Sequence, residues 1–194
     1  MDIARLEMMK RLFDICVAGM GLIFLSPLFL LCAVAVRLTS KGPVFYVSDR
    51  IGVDNAHFNM LKFRTMRTDT PQVATHLMTD PKAFLTPIGD FLRKSSLDEL
   101  PQLINVIKGE MSIVGPRPAL FNQADQIALR TESGAHRLVP GITGWAQVNG
   151  RDDIPIARKV ELDTWYLHHR SFALDLKIIF LTVWNVVHRK GVTH

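Results

Sequence analysis

ICVAGMGLIFLSPLFLLCAVAV, running from Ile15 to Val36, decides the fold: 22 residues carry no charge, and Ser26-Pro27 interrupts them near the middle. At roughly 1.5 Å per residue a helix of this length reaches about 33 Å, enough to cross a hydrocarbon core of about 30 Å. Proline inside it removes a backbone hydrogen bond and clashes with the preceding turn, so the helix is expected to break there. The arms Ile15–Ser26 and Pro27–Val36 would then be about 18 and 15 Å long, each near the thickness of one leaflet. Arg5, Lys10 and Arg11 precede the stretch and Arg37 and Lys41 follow it, and an excess of Lys and Arg marks the cytoplasmic side. A helix that enters, turns at Ser26-Pro27 and leaves on the same face satisfies length, break and charge together, with the Ser26 hydroxyl available to a carbonyl freed by the break.

Three rivals stand beside the re-entrant reading. Membrane helices tolerate proline, so a straight, kinked span is allowed, and the cations at both ends count against it. A signal peptide would put Lys10-Arg11 ahead of an apolar run ending in Ala33-Val34-Ala35, but the run is long for one. A buried helix of a soluble domain fits least, because 22 residues lack any charge.

The remainder of the 194 residues, about 150 once the first 40 are set aside, is the size of one domain. The expected class is α+β: a mainly helical single domain with a short β-hairpin, residues 41–194, behind a helix-break-helix membrane segment, residues 1–40. Lys and Arg total 23 against 18 Asp and Glu, a net charge of +5 spread along the chain. That balance favours anionic lipid head groups and phosphorylated substrates. Nucleic acid is not an expected partner, since no recognised binding motif or basic-aromatic alternation is present. Both cysteines, Cys16 and Cys32, lie in the apolar stretch, where a thiol acts as a small hydrophobe, so neither a disulfide framework nor zinc spacing follows. No transition-metal site is assigned to the seven histidines.

Downstream, Val44-Phe45-Tyr46-Val47 has strand-forming residues, and Asp54-Asn55 can turn the chain back into Phe58 to Arg64. A hairpin carrying Arg50, Lys62 and Arg64 is expected, although such cations are often only a solvated face. Thr68–Pro87, polar and interrupted by Pro71, Pro81 and Pro87, reads as a loop with short helical pieces. Ile88–Lys94 reads as a short helix or turn that delivers Arg93 and Lys94. Phe121–Arg137 is an amphipathic helical stretch with no evident chemistry. Leu174–Val187 is strongly apolar and suits either the membrane interface or core closure.

The chemistry sits between these pieces, in Ser96-Leu97-Asp98-Glu99-Leu100-Pro101-Gln102 and Gly115-Pro116-Arg117-Pro118. Proline is accepted only in a helix's first turn, so Pro101 predicts a helix that starts near Leu97 or Asp98, runs to Lys108 and stops at Gly109. Two carboxylates at a helix start can serve as a nucleophile and a magnesium ligand, and the N–H groups there suit an anion. Ser96-x-x-Glu99 also fits a plain capping box. Arg93 and Lys94 would neutralise a pyrophosphate. Two prolines hold the backbone around Arg117, which makes it a preorganised grip for an oxyanion, or else a surface turn. Pro140 to Arg151 sets three glycines among Trp145, Gln147, Asn149 and Arg151, a loop able to stack and hydrogen-bond a base or sugar, or a structural turn.

Together with Lys10-Arg11-Leu12-Phe13-Asp14, Ser26-Pro27, Gly42-Pro43-Val44-Phe45, Arg50-Ile51-Gly52 and Lys62-Phe63-Arg64-Thr65-Met66, these segments resemble the bacterial sugar transferases, the small monotopic phosphoglycosyl transferases, over nearly the whole chain. The resemblance implies transfer of a sugar 1-phosphate from a UDP-sugar to polyprenol phosphate, normally undecaprenyl phosphate, at the cytoplasmic face of the bacterial inner membrane, with release of UMP. It implies that Asp98 is the nucleophile, that Glu99 binds Mg2+, and that Ser26-Pro27 marks a re-entrant helix. Lys62, Arg64, Arg93, Arg117, Gln147, Asn149 and Arg151 become candidate contacts to substrate or phosphate. Membrane lipid and downstream glycosyltransferases become candidate partners. Val139 stands where many members carry a basic residue before Pro-Gly, with Arg137 nearby to take its place, and the chain is expected to be a minimal member without extra transmembrane helices. A non-catalytic membrane-anchored scaffold that binds nucleotide-sugars or lipid head groups is the competing function, and a magnesium-dependent pyrophosphate hydrolase is a second one. Sugar selectivity resides in pocket shape that these motifs do not encode.

Overall fold

Proline at the second position of a helix leaves no hydrogen bond unmade, and the break falls where that is true. In a computed structural model, which describes residues 3–70, 80–150 and 154–188, helix α1 spans Ile3–Phe24 and helix α2 spans Ser26–Thr39. Leu25 separates them, Pro27 lies in the first turn of α2, and the axes bend by 64°. The Ser26 hydroxyl donates to the Ile23 carbonyl at 2.8 Å, the bond expected of it. Among the described residues no single helix is long and apolar enough to cross a membrane; the length and apolar composition of a span are met only by the two bent helices taken together, the pattern of a broken span or a re-entrant loop.

α1 begins well before the expected arm, and its charged first half is tied to the domain. Lys10 Nζ meets Asp175 at 2.8 Å, and the Tyr166 hydroxyl donates to the same carboxylate at 2.6 Å. Arg11 donates to the Val106 and Ile107 carbonyls at 2.6 and 2.7 Å, satisfying the exposed end of a helix whose C-cap is Gly109 at φ 88°. Buried Asp14 accepts from the Ile113 amide at 3.0 Å. Two of the flanking cations read as markers of membrane side, Lys10 and Arg11, therefore also have structural partners.

One face of the pair closes the core. Ala18 of α1 packs with Met60, Val106 and Met111, and Cys32 and Val36 of α2 pack with Phe63 and Leu92. The other side leaves Leu12, Ile23, Phe24, Leu30, Leu31 and Leu38 between 64 and 81% exposed. Monomeric soluble proteins rarely show apolar surface on that scale, and its usual meaning is a membrane or partner.

Strands β1 (Phe45–Ile51) and β2 (His57–Phe63) form the expected antiparallel hairpin, with Phe45 opposite Phe63 and Ile51 opposite His57. Asp54 and Asn55 turn it with positive φ, a conformation their short polar side chains tolerate. Helix α3 (Gly89–Lys94) and a 3-10 turn at Leu97–Glu99 lead to α4 (Gln102–Lys108). Here the structure corrects the expected helix start. Pro101 is the N-cap of α4, so the two carboxylates stand one turn ahead of it, and Ser96 makes no side-chain cap.

Strand β3 (Ser112–Val114) pairs in parallel with β5 (Gly141–Thr143), and β4 (Ala119–Leu120) adds to β1 at Ile51 and Arg50. The expected helical stretch Phe121–Arg137 resolves into α5 (Ala124–Ser133) and a 3-10 turn at Ala135–Arg137. A single turn, α6 (Trp145–Val148), precedes α7 (Ile156–His169) and α8 (Phe172–Val187). Val114, Leu138, Tyr166 and Ile178 form the core between these last elements. The apolar stretch ending at Val187 closes the core through buried Ile178, while Leu176, Phe180, Val183 and Trp184 stay exposed on α8.

Candidate active site

Four elements converge on Asp98 and Glu99, and each is fixed by a local feature of the sequence. α3 ends at Ser95, whose hydroxyl turns back to the Phe91 carbonyl at 2.7 Å. Ser96 then adopts φ 57°, a left-handed conformation uncommon outside glycine, which redirects the chain into the 3-10 turn. Leu97 and Leu100 pack on the Cys32, Val36, Phe63 and Leu92 cluster and anchor that turn from beneath. Opposite, buried Asn105 of α4 accepts from the Leu61 amide at 3.0 Å and donates to the Asn59 carbonyl at 2.8 Å, fastening β2 to α4.

That fastening sets Lys62, which follows Leu61, against the dyad. Its Nζ lies 2.7 Å from Glu99 Oε1 and 4.0 Å from Asp98 Oδ2. Arg117 Nη2 reaches the same Oε1 at 3.1 Å. Side-chain exposure rises from 11% for Asp98 through 20% for Glu99 to 40% for Arg117, so the cluster opens to solvent on the arginine side.

The two carboxyl groups are shifted in opposite directions. Burial raises the Asp98 carboxyl to about 6, reinforced by the Glu99 charge and only partly offset by Lys62, Arg93 and Arg117. Burial pushes Glu99 upward too, but Lys62 and Arg117, by charge and by hydrogen bond, overcome it and hold Glu99 well below the ordinary carboxylate range. Glu99 is a fixed anion. Asp98 is a desolvated carboxylate whose charge is only partly compensated by the surrounding cations. Lys62, Arg93 and Arg117 outnumber the two carboxylates, so the site suits a multiply charged anion.

Of the residues singled out from sequence, the structure brings Lys62, Arg93, Asp98, Glu99 and Arg117 together. Lys94 instead pairs with Asp90 at 2.6 Å on the surface. Arg64 is buried and donates to the Ser40 and Lys41 carbonyls at the end of α2, beside a cleft lined by Arg67, Thr68 and Asp69. Gln147 donates to the Ile142 carbonyl at 3.0 Å, and its buried Oε1 has no hydrogen-bond partner among the described residues; Asn149 donates to the Trp145 carbonyl at 2.8 Å. Arg151 lies outside the described residues. Gly141 and Gly144 are needed for close approach, since a Cβ on either would fall 2.0 to 2.1 Å from the backbone of Gly115. The glycines of this loop therefore bind it to the arginine loop. Asn105 was not visible as a site residue in the sequence, because nothing in Leu103 to Lys108 signals a side chain bonded to a strand distant in the chain.

The bacterial sugar transferase family model matches residues 5–189. The chain is 46% identical over 186 residues to the uncharacterised sugar transferase EpsL of Bacillus subtilis, covering 95% of this chain and 90% of that protein. It is 44% identical to the undecaprenyl-phosphate glucose phosphotransferase of Komagataeibacter xylinus over 90% of this chain but 35% of the relative. It is 41% identical to the UDP-glucose:undecaprenyl-phosphate glucose-1-phosphate transferase of Escherichia coli over 92% and 40% respectively. The chain thus spans nearly the whole of one relative and less than half of the other two. A match over almost every described element, with the dyad and its cations assembled, places this chain in the bacterial sugar transferase family.

Proposed function

We propose that the protein moves a sugar 1-phosphate from a UDP-sugar to undecaprenyl phosphate through a covalent intermediate on Asp98. Family membership and the activities named for two relatives support the overall transfer. The observation that carries the covalent route is the pairing of a buried, under-compensated Asp98 with a Glu99 already clamped by Lys62 and Arg117.

In the first step an Asp98 oxygen attacks the phosphorus that bears the sugar. The phosphorus–oxygen bond to UMP breaks, UMP departs with that electron pair, and an aspartyl phosphosugar remains. In the second step an oxygen of the lipid phosphate attacks the same phosphorus and the bond to Asp98 breaks, restoring the carboxylate. Splitting the transfer spares the site from holding two anionic substrates against each other. Lys62, Arg93 and Arg117 offset the charge of the pyrophosphate and of the departing UMP.

Glu99 fits Mg2+ as a ligand shared with substrate phosphates. Among the described residues no group of three metal-binding side chains exists, and magnesium ordinarily takes one or two carboxylates and completes its shell from phosphate and water. When bound it would supply charge neutralisation at the pyrophosphate. The bent α1–α2 pair, its exposed apolar side and the basic residues at both ends support a monotopic placement at the cytoplasmic membrane face, where a soluble nucleotide and a lipid-held phosphate meet.

The test is UMP release by the purified protein over a panel of UDP-sugars, with and without undecaprenyl phosphate. The transferase gives about one UMP per protein without acceptor and sustained release with it. Sustained release without acceptor would make the protein a pyrophosphate hydrolase, and binding without release would make it a scaffold.

A further inference from the structure

Arg117 sits between two buried prolines. Behind it lies a small cavity lined by Pro116, Ala119, Ile127, Arg130, His136 and Pro140. Three successive carbonyls of the loop are held by donors from three different parts of the chain. The Gly141 amide donates to Pro116 at 2.9 Å, Arg130 Nη1 to Arg117 at 3.0 Å, and Arg50 Nη1 to Pro118 at 3.2 Å.

The middle donor is built with the most care. Arg130 lies on the inner face of α5 and is 9% exposed. Its Nε and Nη2 both donate to Asp163 Oδ2, at 3.1 and 2.7 Å, and Asp163 on α7 is 1% exposed. A planar guanidinium fixed along its Nε–Nη2 edge holds Nη1 in one place, and with it the directions of the two N–H bonds there. One of them meets the carbonyl of Arg117, the residue whose side chain meets Glu99.

We infer that Arg130, oriented by Asp163, is a positioning residue for the transfer reaction: its bond to the Arg117 carbonyl fixes the arm from which Arg117 reaches Glu99. Arg130 touches neither the dyad nor, on this account, the substrate. α5 and α7, which carry no chemistry of their own, thereby set the geometry of the site. The inference rests on the transferase reading proposed above.

The experiment is a double-mutant cycle on the full chain in detergent, using undecaprenyl phosphate and the UDP-sugar of the panel above that the parent turns over fastest, the whole panel being run where none stands out. Arg130→Met/Asp163→Leu removes both charges at once, which spares the fold the cost of one buried, unpaired ion. It is made in the parent and in an Arg117→Met background. In the parent, kcat/KM for UMP release should fall between about 10- and 100-fold, the scale of a misplaced positioning group. The split between kcat and KM should follow that of Arg117→Met alone. In the Arg117→Met background the same replacement should cost less than about 3-fold, because sites that act through one another are not additive. Equal losses in both backgrounds, or no loss in the parent, would overturn the inference.

Thermal melting of the same four proteins needs no substrate and keeps the two claims apart. Arg117→Met should lower the melting temperature of the parent more than that of the pair-replaced protein. Coupled melting without UMP release would sink the transferase reading alone, whereas UMP release with additive effects in both readouts would sink the positioning role alone. Should the pair replacement not fold, Arg130→Lys carries the same cycle, since it keeps the charge against Asp163 and loses the planar fork.

Discussion

Arg130 with Asp163 and Lys62 with Asp98, Glu99 and Arg117 are both clusters of charge in the protein's interior, and they are built to opposite specifications. In the first, one acid meets one base through two hydrogen bonds to a single oxygen, and both residues are at most 9% exposed. In the second, Lys62 and Arg117 both spend their bonds on Glu99, Arg93 joins them by charge, and Asp98 is left desolvated. A closed pair of that kind supports a scaffold. A cluster with three cations around two carboxylates, one of them strongly shifted by burial, has the marks of a candidate functional site.

The comparison breaks most sharply on single removals. Asp163→Leu strands the Arg130 charge and should destabilise the protein by about 3–5 kcal/mol, whereas Arg130→Met/Asp163→Leu should be near neutral; chemical denaturation reads both. If the single and double variants unfold alike, the first cluster is not a matched pair. Glu99→Gln removes the anion on which two cations converge and should lower kcat/KM by about 10²–10³-fold while raising the magnesium concentration needed for activity. An unchanged magnesium titration with full turnover would reduce Glu99 to a structural residue.

Asp98 gives a smaller effect of opposite sign. Its carboxyl is raised from an ordinary 3.8 to about 6, mainly by burial, so the protonated form stabilises the fold. That contribution is fully present below the ordinary value and is lost as pH rises through about 6. At pH 7.5, in the presence of a chelator, Asp98→Asn should therefore be more stable than the parent, by at most about 3 kcal/mol. The gap should close below about pH 4. A variant less stable than the parent at neutral pH would mean that the surrounding cations compensate Asp98 fully.

The smallest effect lies farthest from the charges, at the α1–α2 break. Ser26→Ala loses one hydroxyl-to-carbonyl bond and should cost about 1 kcal/mol or less. Placement in the membrane is read separately, by labelling a single cysteine placed near Met1, in a Cys16→Ala/Cys32→Ala background, with an impermeant reagent on intact cells. Protection is expected of a chain that returns to the cytoplasmic face. Labelling from outside would restore the straight span.

What could be read from the sequence follows the range of the forces involved. The break at Ser26-Pro27 and the hairpin around Asp54-Asn55 are local, set by a missing N–H and by side chains that tolerate positive φ, and both stand in the structure. The helix starts at Gln102 and not near Leu97 or Asp98 because Pro101, with no N–H to satisfy, also fits just ahead of the first turn, where Ser96 has already turned the chain left-handed and Leu97 and Leu100 pack on the core. The parallel pairing of β3 with β5 joins residues nearly 30 apart through strands of three residues, too short to carry a pattern. α7 was not anticipated as an element. Arg130 was hidden for a further reason: α5 reads as amphipathic, and a charge on its inner face looks like noise until Asp163 is seen across from it.

Asp98 as the covalent nucleophile is the claim on which the comparison turns. Intact-protein mass spectrometry after exposure to a reactive UDP-sugar without lipid acceptor tests it directly. The parent should gain the mass of one phosphosugar, lose it on addition of undecaprenyl phosphate, and yield a modified peptide containing Asp98, while Asp98→Asn should gain nothing. The same adduct on Asp98→Asn, or an adduct on the parent that maps to another residue, would contradict it.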